Sequence, residues 1–169
     1  MNIAVKLPPV TGPNLRDAMR LVAGGVSVIT AGEGDERTGL TATSAVSLSV
    51  EPPTMIICVN RDASAWPVIR RYGHYCVNIL ADHQRHIADR FAGRGGIKGA
   101  ARYENAGWNR LFTGALALEG ALASVDCEVE EFIDRHSHSI IIGAVRGIRT
   151  ADGRPLVYAQ GGYGGFHPA

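Results

Sequence analysis

The sequence predicts a mainly β protein, an antiparallel barrel or sandwich with helices packed on its outside. Three observations predict it. About seven segments read as strands and three as helices. The 21 glycines suit a β-rich chain with tight turns. The strands of the second half follow one another through short turns, which permit antiparallel pairing, whereas a parallel pair needs a crossover of about a dozen residues or more.

Each element has its own signal. After a Pro-rich lead, "NLRDAMRLVAGG" offers Asn14 as helix N-cap, Leu15, Met19 and Val22 at helical spacing, and Gly24-Gly25 as a stop. "VSVITAG" reads as a strand and "EGDERTG" as a polar turn. "MIICVN" is a continuous apolar strand. "SAWPVIRRYG" is a short helix opened by Ser64, with Trp66, Ile69 and Tyr72 turned inward; "HYCVNIL" is the next strand. "DHQRHIADRFAG" is a helix with Asp82 as cap and Ile87, Ala88 and Phe91 on one face. "ALALEGALASVDCEVEEFID" holds two strands, with Val125, Cys127 and Val129 alternating against Glu128 and Glu130. "HSIIIGAVRGIRT" is a long strand, "ADGRP" a turn and "LVYAQGGY" the last strand.

Composition narrows the classes of function. The chain has 169 residues, 46% hydrophobic and 20% charged, enough for one globular domain over residues 1–169. A formal net charge of +1 gives no overall field for nucleic acid or an acidic membrane. No apolar run approaches the roughly 20 residues that span a bilayer. The N-terminus lacks the basic region, apolar core and cleavage site of a signal peptide, so a cytoplasmic protein is expected. Cys58, Cys76 and Cys127 lie among apolar residues without CxxC spacing and are expected as buried free thiols.

The search for reacting groups returns little. "AGRGGIKG" is basic and Gly-rich but lacks the phosphate-loop pattern, and reads as a mobile surface loop, with a lid near a ligand as the alternative. His83 and His86 lie on a helix without a zinc-type partner set, so no metal is expected. In "RHSHS", at a strand start, one of His136 and His138 could face a cleft while the other faces out. No GxSxG is present, and Glu130 and Glu131 are adjacent on a strand and point to opposite faces. What stands out is "GLTATSAVSLSVEPP": between Thr41 and Ser49, five of nine side chains carry a hydroxyl. Small hydroxyl residues let backbone approach a planar ligand with polar rims. Thr and Ser equally suit edge strands and turns, and both accounts are open on composition alone.

The order of segments adds a resemblance. "GLTATS…SLS…PP", "CVN…S", "VNIL" and "DGRPLVY…G.Y", in this order from about Leu15 to Gly164, resemble the short-chain flavin reductases. These are reductase components of two-component flavin-dependent monooxygenases, of the 4-hydroxyphenylacetate hydroxylase reductase type. The resemblance implies an FMN-binding split β-barrel, an antiparallel Greek-key barrel, forming a homodimer with flavin near the subunit interface. It implies FMN or FAD as flavin, NADH or NADPH as co-substrate, and a separate flavin-dependent oxygenase as partner. Residue by residue, it sets Thr41, Ala42, Thr43 and Ser44 along the flavin ring, with Ser47 close by and Ser49 on the same side two residues on. Asn60, Arg61 and Ser64 of "NRDAS" match the phosphate end. His138 matches the nicotinamide-side histidine, and Tyr163 would close the pocket. Where family members often read Gly-Asp-His, this chain has His136-Ser137-His138, without the acidic neighbour.

The implied activity is NAD(P)H:flavin oxidoreduction, hydride passing from the nicotinamide to flavin N5. That chemistry resides in the cofactors, so the protein needs positioning groups rather than a nucleophile. Holding reacting atoms roughly 3–3.5 Å apart contributes several kcal/mol, and backbone amides around Thr43 to Ala45 could meet the ring's pyrimidine edge. Two alternatives stand beside it: a flavin-bound reductase of another acceptor such as a cobalt corrinoid, and a non-catalytic flavin- or haem-binding barrel.

Overall fold

Residues 9–168 are described in the computed structural model of the chain. They form twelve strands: β1 (Gly24–Gly25), β2 (Ser27–Ala31), β3 (Thr38–Ala42), β4 (Ala45–Val50), β5 (Pro53–Asn60), β6 (His74–Ile79), β7 (Trp108–Arg110), β8 (Leu116–Leu118), β9 (Ala123–Arg135), β10 (His138–Thr150), β11 (Leu156–Ala159) and β12 (Gly162–Gly165). Three α-helices accompany them: α1 (Gly12–Met19), α2 (Ala65–Tyr72) and α3 (Arg85–Phe91). No helix among the described residues is long and apolar enough to cross a membrane.

Seven strands make one antiparallel sheet in the order β3-β2-β6-β9-β10-β5-β4. Its two edge strands, β3 and β4, are consecutive in the chain and joined only by Thr43 and Ser44. Laid flat, the edges of such a sheet would lie roughly 29 Å apart at about 4.8 Å per strand. The link from Ala42 to Ala45 can reach only about 11 Å. The sheet must therefore curl until its edges approach, and the barrel is split where the "TS" of "GLTATS" crosses. A three-stranded sheet, β1-β11-β12, stands beside the split.

The curl makes an inside and an outside. Ile29, Ile57, Val59, Tyr75, Val77, Cys127 and Ile141 meet inside, joined by Ala65 and Ile69 of α2. Outside, Val26 and Val28 pack with Ile87, Ala88 and Phe91 of α3 and with Tyr103. Strand β2 is thus buried on both faces, which explains why all five of its residues are buried. Each large aliphatic so buried contributes about 1.5–3 kcal/mol. Edge strand β3 is covered: Arg102 donates to the Gly39 carbonyl and the Tyr103 hydroxyl to the Thr38 carbonyl. Gly39 has no substitute there, because a Cβ would overlap the Ile29 carbonyl and the Phe91 ring.

The expected mainly β architecture is present, with local corrections: of the helices expected outside, α3 packs there, whereas α2 sends Ala65 and Ile69 into the inner cluster. Helix α1 is capped by Thr11, and Asn14 sits in the first turn, its side-chain oxygen accepting the Thr11 N–H at 2.6 Å. Its apolar residues Leu15 and Met19 are exposed, and Val22, expected on the same helix, lies beyond its end and is exposed too. Asp82 does not cap α3. A short 3-10 turn precedes that helix, where Gln84 accepts the Ala81 N–H at 3.0 Å and Asp82 pairs with Arg154 at 3.0 Å. Ser64 precedes α2 but makes no side-chain cap bond, because its backbone is already helical. "LVYAQGGY" is two strands, turned by Gln160 and Gly161, both with positive φ. Asp126 breaks the alternation of β9. It is fully buried and accepts the Phe112 and Thr113 N–H groups at 2.7 Å and the Thr113 hydroxyl at 2.5 Å. Cys76 and Cys127 are buried free thiols, but Cys58 is only half-buried.

Candidate active site

The split exposes a cavity of about 270 Å3. Thr41, Ala42 and Thr43 form one wall, Val26 the floor, Tyr158 and Tyr163 the wall from the small sheet, and Ala92 and Arg94 the rim from the loop after α3. The hydroxyl run is therefore a cavity wall and also a strand edge; the two accounts open in the sequence hold together. Small residues are required: a Cβ on Gly24 would lie 3.1 Å from the Thr43 Cβ, so β1 approaches the wall closely.

The hydroxyls divide by function. Thr41 donates to the Ala88 carbonyl at 2.6 Å and ties β3 to α3. Ser44 donates to the Cys58 carbonyl at 3.1 Å and ties the link to β5. Ser49 accepts the Glu51 N–H at 3.1 Å. Among the described residues the hydroxyls of Thr43 and Ser47 have no partner, and both residues are exposed. Ser47 faces the same side as Ala45, because their partners Met55 and Ile57 share a face. Ser49 does not. A bulge between Ser47 and Ser49 pairs Ser49 with Thr54, on the opposite face from Met55, so the expectation that both serines share a side is corrected.

Tyr163 is held from two directions. The Arg85 and Arg94 guanidiniums lie 5.4 and 5.7 Å from its ring centroid, and both pair with Asp89, at 3.7 and 3.0 Å. Its ring meets that of Tyr158 edge-on at 5.2 Å. Burial, and then the Asp89 carboxylate, pushes the Tyr163 phenol above its ordinary range, so it stays a neutral donor.

The remaining candidates gather on the adjoining strand ends. Asn60 ends β5, its side-chain oxygen accepting the Asp62 N–H at 3.0 Å, and it lies opposite His138, the first residue of β10. Arg61 donates its backbone N–H to the Ser137 carbonyl at 2.9 Å and its guanidinium to the His136 carbonyl at 3.3 Å. Ser44, bonded to Cys58, connects this group to the cavity wall. Ser64 stands apart, its hydroxyl 3.5 Å from that of Thr38 at the far end of β3. Of the sequence candidates, Thr41, Ala42, Thr43 and Tyr163 line one cavity; Asn60, Arg61 and His138 form a second group beside it.

Four cavity residues escaped the sequence: Val26, Ala92, Arg94 and Tyr158. "GRGG" carries a usable signal, a basic residue among glycines just after a helix, but the same composition suits a mobile surface loop. Tyr158 had no signal beyond its place in a strand.

The chemistry of this donor set fits a planar, polar-rimmed ligand. Small side chains and the free hydroxyl of Thr43 form one wall, aromatic rings the other, and a guanidinium stands at the mouth. The Flavin reductase like domain family matches residues 19–167. The chain is 40% identical over 148 residues to the FMN reductase (NADH) RutF 2 of Methylorubrum extorquens strain PA1, covering 85% of this chain and 83% of the relative. Among solved structures, BorF, the flavin reductase component of a bacterial two-component tryptophan halogenase, superposes with a TM-score of 0.85 at 32% identity, covering 94% of this chain and 100% of BorF. Nitrilotriacetate monooxygenase component B from Mycobacterium thermoresistibile gives a TM-score of 0.84 at 28% identity, covering 92% of this chain and 87% of that one. The chain belongs to the flavin reductase family, and its curled, split sheet is that family's barrel.

Proposed function

We propose that this NAD(P)H:flavin oxidoreductase takes FMN as its flavin and NADH as its hydride donor, and passes reduced flavin to a separate flavin-dependent oxygenase in the cytoplasm. The observation that carries the proposal is the Thr41–Thr43 wall facing Tyr158 and Tyr163 across one cavity. When bound, flavin and nicotinamide supply the redox chemistry. The chain supplies placement: Ala42 and Thr43 against the ring, Ser44 and Ser47 flanking it, and Tyr163 closing the cavity. Asn60 and Arg61 take the phosphate end and His138 the nicotinamide, while Ser64, set apart beside Thr38, is left out of the site.

FMN and NADH are the pair in the name of the Methylorubrum relative. BorF and the nitrilotriacetate monooxygenase subunit are both described as components of larger systems, which supports a separate partner. We propose further that the chain is a homodimer. Edge strand β4 exposes Val46, Leu48 and Val50, and α1 exposes Leu15 and Met19, apolar surface that a second copy would cover.

The test is NAD(P)H oxidation followed at 340 nm with each of the four flavin and nicotinamide combinations. Turnover is expected to be fastest with FMN and NADH; no turnover with any combination refutes the assignment. Sedimentation of wild type and Leu48→Asp reads the dimer, and a monomeric wild type refutes that part.

A further inference from the structure

The His136–Ser137 turn joining β9 to β10 is held from outside its own hairpin. His136 takes a positive φ of 52°. The backbone N–H of Arg61 donates to the Ser137 carbonyl at 2.9 Å, and the Arg61 guanidinium donates to the His136 carbonyl at 3.3 Å. Both turn carbonyls are therefore fixed by one residue at the end of β5.

On that backbone the Ser137 hydroxyl lies 2.9 Å from His138 Nδ1. The strand neighbours of His138 are Asn60 on β5 and Arg135 on β9, so no carboxylate is in register with the imidazole. Asp134 is on the opposite face, where it accepts the Ser139 hydroxyl at 2.7 Å and pairs with Arg70 at 3.7 Å. Residue 137 offers this imidazole a hydroxyl rather than an acid. An acid favours the doubly protonated ring; a hydroxyl only selects which nitrogen holds the proton.

We propose that Ser137 is a positioning residue for His138: its hydroxyl donates to Nδ1, holds the ring as the neutral Nε2–H tautomer, and presents that N–H to the carboxamide oxygen of the reduced nicotinamide. The inference rests on the reading of His138 as the nicotinamide-side residue. Arg61 and Arg135 flank the turn, and the oxidised nicotinamide that must leave is itself cationic; a hydrogen bond from an uncharged ring does not oppose that departure.

The test begins on the protein without ligands. Nitrogen-15 NMR of the six histidines, with His138 identified by its loss in His138→Gln, reads the tautomer directly. Wild type is expected to be protonated at Nε2, Ser137→Ala to give a mixture of tautomers, and Ser137→Thr to restore the wild-type pattern. In steady state, Ser137→Ala should raise KM for NADH about five-fold, the equivalent of one neutral hydrogen bond, with kcat little changed and recovery in Ser137→Thr. An Nδ1–H tautomer in wild type, or the same tautomer in Ser137→Ala, overturns the proposal. If Ser137→Ala shifts the tautomer but His138→Gln leaves KM for NADH unchanged, the proposal is overturned through its premise, and the placement of His138 is what failed.

Discussion

Thr43 and Ser44 are adjacent, similar in chemistry and equally part of the hydroxyl run, yet the structure assigns them different energetic roles. The Ser44 hydroxyl donates to the Cys58 carbonyl at 3.1 Å in a half-buried position. Ser44→Ala leaves that carbonyl without its donor, at about 1 kcal/mol. For a domain of this size the same loss lowers the melting temperature by roughly 2–4 °C. Thr43 is exposed at the cavity wall, with no internal partner for its hydroxyl among the described residues. Thr43→Val keeps the shape and removes only the group offered to ligand. It should leave stability within about 0.5 kcal/mol and weaken FMN binding about five-fold, the equivalent of one neutral hydrogen bond. Denaturant unfolding reads the first quantity, and quenching of flavin fluorescence on titration reads the second. The reasoning is refuted if Ser44→Ala weakens flavin binding more than Thr43→Val while leaving stability unchanged.

Three further outcomes are expected. Asp89→Asn should loosen Arg85 and Arg94 from Tyr163 and raise the FMN dissociation constant a few-fold, with a stability change of about 1 kcal/mol because both arginines are exposed while Asp89 is half-buried; an unchanged dissociation constant counts against the clamp. Gly39→Ala should destabilise by more than about 2 kcal/mol, since the new Cβ meets the Ile29 carbonyl and the Phe91 ring, and a wild-type urea midpoint would contradict it. Stability should fall as the pH rises above about 9, because burial pushes the Cys127 thiol up to about 12 and also raises Cys76, Tyr75 and Tyr103. The unfolded chain ionises these groups first, so their contribution is complete below the unfolded values and is lost as the pH climbs toward the folded ones; a urea midpoint equal at pH 8 and 10 would exclude that linkage.

The strands were legible wherever one face was apolar and the flanks were turns, as in "MIICVN" and "HYCVNIL". Local signals failed where a distant partner decides the outcome. Asp82 looks like a cap by its position, but Arg154 takes its carboxylate and Gln84 supplies the cap. Asp126 looks like the polar half of an alternating strand, but the loop at Phe112 and Thr113 buries it and supplies its donors. Leu15, Met19 and Val22 have helical spacing, which predicts a buried face, yet the helix ends at Met19 and all three are exposed among the described residues. At the candidate site, the residue types of "GLTATS" pointed to a wall. The facing aromatic Tyr158 and the rim Arg94 come from segments more than 50 residues away, and no local pattern joins them.

The hydroxyl run has a physical reason that precedes any ligand. Curling seven strands brings two edges together, and each edge presents unpaired backbone groups that apolar side chains cannot satisfy. A link of two residues must cross between them while staying anchored to both sides. Thr41 anchors one side on the Ala88 carbonyl and Ser44 the other on the Cys58 carbonyl, and long side chains would not fit beside Gly24. A segment built this way is short-chained, uncharged and rich in donors before it binds anything. The residues between and beyond the anchors, Thr43 and Ser47, then project unpaired hydroxyls beside a gap that the fold itself leaves open. Closing the sheet and offering polar groups to a planar ligand call for the same residue types, so the site falls at the split. The two tasks come apart only under substitution: changes at the anchors, Thr41 and Ser44, should be read in stability, and changes at Thr43 and Ser47 in ligand affinity.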